Sequence, residues 1–74
     1  MNLGSSLSAA RKKSGLSQEA VAEKLGVSRQ TVSKWETDES LPDIRQSKRL
    51  ALLYGLSLDA LIDFDLDMEE IQRA

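Results

Sequence analysis

Apolar positions along this chain recur at helical spacing and never alternate over a run long enough for a strand. Leu3, Leu7 and Ala10 share one face of a helix expected over Leu3–Lys13, with Asn2 as its N-cap and Gly15 where a left-handed residue ends it. Ser17 caps a second run, Gln18–Leu25, whose stripe is Val21, Ala22 and Leu25, and Gly26 stops it. Ser28 caps a third, Arg29–Glu36, so that only Gly26-Val27-Ser28 separates the two. After the polar stretch Thr37-Asp38-Glu39-Ser40 comes Leu41-Pro42-Asp43, where proline suits the first turn of a fourth helix. Ile44, Ser47, Leu50, Ala51 and Tyr54 are expected to face inward on it, and Gly55 ends it. Gly55-Leu56-Ser57 repeats the order of Gly26-Val27-Ser28 and opens a short fifth helix, Leu58–Ile62, with Asp59 complementing the helix dipole.

Five short helices in 74 residues predict one compact all-α domain over 1–62, followed by an acidic tail over 63–74. In that tail Phe64-Asp65-Leu66-Asp67-Met68 alternates apolar and acidic residues, too briefly to assign an element; Phe64, Leu66, Met68 and Ile71 still need burial. A chain of this size buries only about 60% of its unfolded surface, so close helix packing, helped by dimerisation, is the expected route to stability.

Composition removes whole classes of function. With no cysteine and no histidine there are no disulfides, no thiolate chemistry and none of the commonest metal ligands. No nucleophile–base pair and no glycine-rich phosphate loop occurs, so an enzyme is not expected, nor is a cofactor or a small-molecule effector. The chain contains neither a run of about 20 apolar residues nor a signal-peptide pattern, and a cytoplasmic location without a membrane partner is expected.

The net charge of −2 argues against nucleic acid until it is divided along the chain. Residues 1–34 carry six bases against two acids, a balance of +4, while residues 35–74 carry four bases against ten acids, a balance of −6. One end can face phosphate while the other repels it. Two short helices joined by a three-residue glycine-containing turn must also cross steeply, the geometry in which one helix enters a groove and the other braces it.

At this point Leu16-Ser17-Gln18-Glu19-x-x-Ala22-x-x-Leu25-Gly26-Val27-Ser28-x-x-x-Val32-Ser33-x-Trp35-Glu36 resembles the phage repressor and Cro-like helix-turn-helix family, of XRE type. The resemblance continues through Leu41-Pro42-Asp43 and Leu50-Ala51-x-x-Tyr54-Gly55-Leu56-Ser57-Leu58-Asp59-x-Leu61 and spans roughly residues 2 to 62. It implies a five-helix bundle of the lambda-repressor-like type, with the third helix reading double-stranded DNA in the major groove as part of a transcriptional regulator, most simply a repressor.

Val32 and Trp35 must take the buried side of that helix, which leaves Arg29, Gln30, Ser33 and Lys34 outward as base-reading candidates. Arginine can pair bidentately with guanine and glutamine with adenine. Phosphate candidates are Gln18, Ser28, Thr31, Lys12 and Lys13; Gln18 also braces the recognition helix in the family, and Ser28 is a helix cap on any reading. Lys12 and Lys13 are equally an ordinary solvated helix face. The resemblance further implies an ion pair between Arg11 and Glu36 that sets the angle of the recognition helix.

The family pattern departs after Trp35-Glu36. Asparagine, glycine and a basic or small residue are usual there, whereas this chain has Thr37, Asp38 and Glu39, whose carboxylates would repel phosphate unless the loop turns away. Relatives bind as dimers on two-fold operators with half-sites about 34 Å apart. By resemblance, Leu58, Leu61 and Ile62 are the dimer candidates, although the same residues suit a core. A second reading is a protein-binding regulatory module, such as an antitoxin or an anti-repressor partner, using the acidic tail.

Overall fold

The computed structural model describes residues 3–62. It contains α1 (Leu3–Lys13), α2 (Gln18–Leu25), α3 (Arg29–Glu36), α4 (Ile44–Leu53) and α5 (Leu58–Ile62), and no strand occurs among the described residues. Asn2 and the tail over 63–74, with its apolar positions, lie outside them.

Three of the four connections are one device used three times. Gly15-Leu16-Ser17, Gly26-Val27-Ser28 and Gly55-Leu56-Ser57 each begin with a glycine at φ between 71° and 74°. The next residue's N–H then reaches back to a carbonyl in the last turn: Leu16 to Arg11 (3.3 Å), Val27 to Ala22 (3.0 Å), Leu56 to Ala51 (2.8 Å). This six-to-one closure satisfies carbonyls that the helix leaves open, and an L side chain at the glycine would resist the left-handed turn. Leu16, Val27 and Leu56 pack against the core. The serine then caps the following helix, with Ser17 Oγ accepting from Ala20 N (3.0 Å), Ser28 Oγ from Thr31 N (3.1 Å) and Ser57 Oγ from Ala60 N (3.1 Å).

The fourth connection, residues 37–43, differs, and so does the entry to α4. Asp43 is the N-cap, its Oδ1 accepting from Gln46 N at 2.8 Å. Pro42 is buried just ahead of the cap, not within the first helical turn, and its carbonyl accepts from the Ser47 hydroxyl. The chain enters α4 through the Pro42–Ser47 contact, which leaves Ile44, the first helical residue, 67% exposed where an inward position was expected. Ser47, Leu50 and Ala51 are buried and Tyr54 is half-buried, as the helical spacing requires.

The core joins Leu7 and Ala10 of α1, Val21, Ala22 and Leu25 of α2, Val32 and Trp35 of α3, Leu50 and Ala51 of α4, and Leu61 of α5. α2 and α3 pack on each other, α1 packs on α3 and α5, and α4 closes against α5 and α2. Leu61 has no exposed surface at all, which removes it from the dimer candidates: its side chain is spent inside one copy of the fold.

Leu50→Ala should lower stability by about 2–5 kcal/mol, because the site is closed and a cavity would remain. Leu52→Ala, at an 80% exposed neighbour, should change it by less than about 0.5 kcal/mol. Urea unfolding followed by fluorescence of Trp35, the only tryptophan, measures both.

Candidate nucleic-acid interface

α3 begins at Ser28, whose hydroxyl both caps the helix and hydrogen-bonds Thr31 Oγ1 at 2.9 Å. Thr31 is half-buried and its hydroxyl is engaged in that pair, so the two residues form one polar unit at the positive end of the helix. Beyond it Arg29, Gln30 and Lys34 are exposed, Ser33 is half-buried, and Val32 and Trp35 point into the core. Helical phase accounts for this division: at 3.6 residues per turn, positions 32 and 35 share a side that positions 29, 30, 33 and 34 leave free.

The far end of α3 is gripped by the preceding two helices. Arg11 Nε donates to Glu36 Oε2 at 2.7 Å and Nη2 to Oε1 at 3.1 Å, a bidentate fork, while Nη1 donates to the Leu16 carbonyl at 2.9 Å. The Gln18 amide Nε2 also donates to Glu36 Oε1, at 3.0 Å. α1, α2 and the turn between them are thereby fastened to one carboxylate of α3. The side chains of Arg11 and Glu36 are only 13% and 6% exposed, so three charge-assisted hydrogen bonds offset a desolvation that neither charge would bear alone. Donating to the Glu36 carboxylate raises the pKa of Arg11 above its ordinary value.

Gln18 therefore braces α3 directly, and its position at the start of α2 leaves the second amide proton for another acceptor. Lys12 and Lys13 are exposed in the last turn of α1. Lys13 lines a shallow cleft with Ala10, Ser14, Tyr54 and Leu56, which groups it with the end of α4 and not with the α2–α3 pair. The Tyr54 hydroxyl is buried without a hydrogen-bond partner among the described residues. Burial, and secondarily the nearby Glu36 charge, push its pKa up to about 12, against a smaller lowering by Arg11.

The loop after α3 holds a contact that residue patterns did not reveal. Asp38 does not project bare beside α3: its Oδ1 accepts the backbone N–H of Gly4 at 3.0 Å, 34 residues away. Glu39 is exposed, its Oε2 accepting from the Thr37 hydroxyl at 3.0 Å. The departure at Asp38 was legible; its destination on α1 was not, because nothing local to Gly4 announces a partner so far along the chain.

Two measurements test this arrangement. Arg11→Met should destabilise by about 3–5 kcal/mol, since it strands the Glu36 charge, whereas Arg11→Met with Glu36→Leu should lose much less; urea unfolding of the single and double variants decides. Tyr54 is the only tyrosine, so its phenolate absorbance in the folded chain should rise with a midpoint about two units above that of the unfolded chain. The folded-state pKa is the raised one, so this stabilisation is complete below pH 10 and is lost as pH climbs towards 12; Tyr54→Phe should flatten the loss.

The sequence profile of the helix-turn-helix family matches residues 7–61. The chain is 38% identical over 65 residues to the HTH-type transcriptional regulator ImmR of Bacillus subtilis (strain 168), covering 88% of this chain and 51% of ImmR. It is 35% identical over 69 residues to YonR, an SPbeta prophage-derived HTH-type transcriptional regulator of the same strain, covering 86% of this chain and 64% of YonR. With the HTH-type transcriptional activator BcrR of Enterococcus faecalis it shares 32% identity over 62 residues, 84% of this chain and 30% of BcrR. The chain thus spans about half the length of ImmR and less than a third of BcrR. A crystal structure of the P22 c2 repressor in complex with a synthetic operator superposes with a TM-score of 0.77 at 31% identity, over 84% of this chain and 94% of that one. Matched over most of its length in sequence and in fold, with a capped, outward-facing third helix clamped at its far end, this chain belongs to the helix-turn-helix family.

Proposed function

We propose that this chain is the DNA-binding module of a transcriptional regulator, acting in the cytoplasm, with α3 laid in the major groove of double-stranded DNA. The observation that carries the reading is the division of α3 into a polar outer face and a held inner face: Arg29, Gln30 and Lys34 stand in solvent while Val32, Trp35 and Glu36 are fixed. Exposed polar residues are ordinarily just solvated; a bidentate clamp on the helix that presents them is what readout of base edges needs, since it holds the helix in one pose. The similarity to a repressor bound to its operator supports the same reading.

In this arrangement Arg29 and Gln30 contact bases, with Ser33 and Lys34 beside them. Ser28 with Thr31, the free amide proton of Gln18, and Lys12 meet phosphate; Lys13 is a weaker candidate because it lies toward Tyr54. Two copies act together through the end of the fold away from α3. There Leu58 borders an apolar groove with Ala51, Leu52 and Leu56, and Ile62 is exposed, so these residues, not Leu61, supply the contact. One module touches too few base pairs for high specificity, and a two-fold pair on half-sites about 34 Å apart doubles the reading length.

Selection of duplexes from random DNA should return a two-fold symmetric site, and the bound species should sediment as two chains per duplex. Log affinity should fall with log salt by about 0.9 per phosphate neutralised. Arg29→Ala or Gln30→Ala should each cost about 1–3 kcal/mol on the selected site and relax the preference at one position, with little effect on unrelated DNA. If both variants discriminate among duplexes as the parent does, α3 is not the reader.

A further inference from the structure

The connection from α3 to α4 contains a second attachment of the recognition helix to α1. Asp38 has φ 64°, the one non-glycine residue among the described residues in the left-handed region, where side chains other than those of asparagine and aspartate are poorly tolerated. From there its carboxylate reaches the first turn of α1, where Gly4 N–H is among the amides that the helix itself leaves without acceptors. That turn carries no acidic residue of its own, so Asp38 supplies the negative charge that its positive end favours.

Gly4 is matched to this role. A Cβ placed on it would lie 2.6 Å from the Glu36 carbonyl oxygen and 2.7 Å from Asp38 Oδ2, distances that side chains do not adopt. The first turn of α1 therefore presses directly on the backbone that ends α3. Gly4 and Arg11 are seven residues apart, two helical turns, and so lie on one face of α1; their partners Asp38 and Glu36 bracket the end of the recognition helix. A single attachment leaves a helix free to swivel about it, and two attachments about 10 Å apart do not.

We propose that Asp38 is a positioning residue for DNA reading: with Gly4 it forms a second clamp that, beside Arg11–Glu36, sets the angle at which α3 is presented. The inference rests on α3 being the reading helix, as proposed above. It also accounts for a carboxylate beside that helix, since the charge is directed to the N-terminus of α1.

The test uses the 74-residue chain with Asp38→Gly, Asp38→Asn and Gly4→Ala. Glycine keeps the left-handed turn free of strain while removing the carboxylate, so Asp38→Gly should fold; asparagine keeps both the turn and an acceptor oxygen. Residual dipolar couplings of the DNA-free chain give the angle between α1 and α3. Asp38→Gly and Gly4→Ala should shift that angle or average it over a range, and Asp38→Asn should retain the parental value. On the duplex selected by the parent, compared with mixed-sequence DNA, Asp38→Gly should lower the affinity ratio by about tenfold, the scale of one base contact, and asparagine should restore it. An unchanged angle and an unchanged ratio in Asp38→Gly, whatever its melting temperature, overturn the proposal. If the parent shows no preference among duplexes, the DNA-reading proposal fails and with it the role in reading, while the angle alone still decides whether the clamp exists.

Discussion

Glu36 is the point on which the geometry of this small domain converges. Its carboxylate receives Arg11 from α1 and Gln18 from α2, and the same Arg11 also holds the carbonyl of Leu16 in the turn between those helices. The apolar core can decide that α3 packs against α1 and α2, but apolar contacts are non-directional and tolerate small rotations. A nearly buried fork of hydrogen bonds does not. What the arrangement supplies is orientation: net stability from such a pair is small, whereas the angular definition it imposes is large.

This separates two tasks within one eight-residue helix. Val32 and Trp35 contribute burial and hold α3 in the fold, Glu36 and the following Asp38 fix its direction, and Arg29, Gln30 and Lys34 are left in solvent. Removing a core residue, or one partner of the buried Arg11–Glu36 pair, would loosen the whole domain, while removing the exposed Asp38 carboxylate with its turn kept would leave α3 folded and its angle less defined. The polarity of the chain follows the same division, with the positive balance in the half that carries the outward face and the negative balance in the half that does not.

Much of the fold was legible because its boundaries are written in local chemistry. Serine caps mark the starts of α2, α3 and α5, and left-handed glycines the ends of α1, α2 and α4, without any knowledge of tertiary structure. The entry to α4 was misread because a proline suggests a first helical turn, whereas Asp43 immediately after it is the stronger cap. Ile44 and Leu61 show the limit of periodicity: both are apolar and in phase, and only the arrangement of neighbouring elements makes one solvent-exposed and the other fully enclosed. At the site, the outward face of α3 follows from phase alone. The Arg11–Glu36 pairing was implied by family resemblance, and the Gly4–Asp38 contact by nothing local, since a backbone amide 34 residues distant leaves no trace in residue type.

The three glycine-apolar-serine connectors have a bearing on how chains of this kind can change. In each, the residue that ends one helix, the residue that locks it to the core and the residue that starts the next are consecutive. There is no slack. One inserted residue would part the closing glycine from the opening serine and rotate the next helix by about 100°, turning its apolar stripe out of the core. Residues 39–41, all exposed and lying between the Asp38 contact and the Pro42–Asp43 entry to α4, are the internal segment where added length costs least. Added length is therefore best accommodated in that one loop, which adjoins the helix proposed to read DNA. New contacts to a ligand can be gained there by insertion while α1, α2 and the turn into α3 stay unaltered.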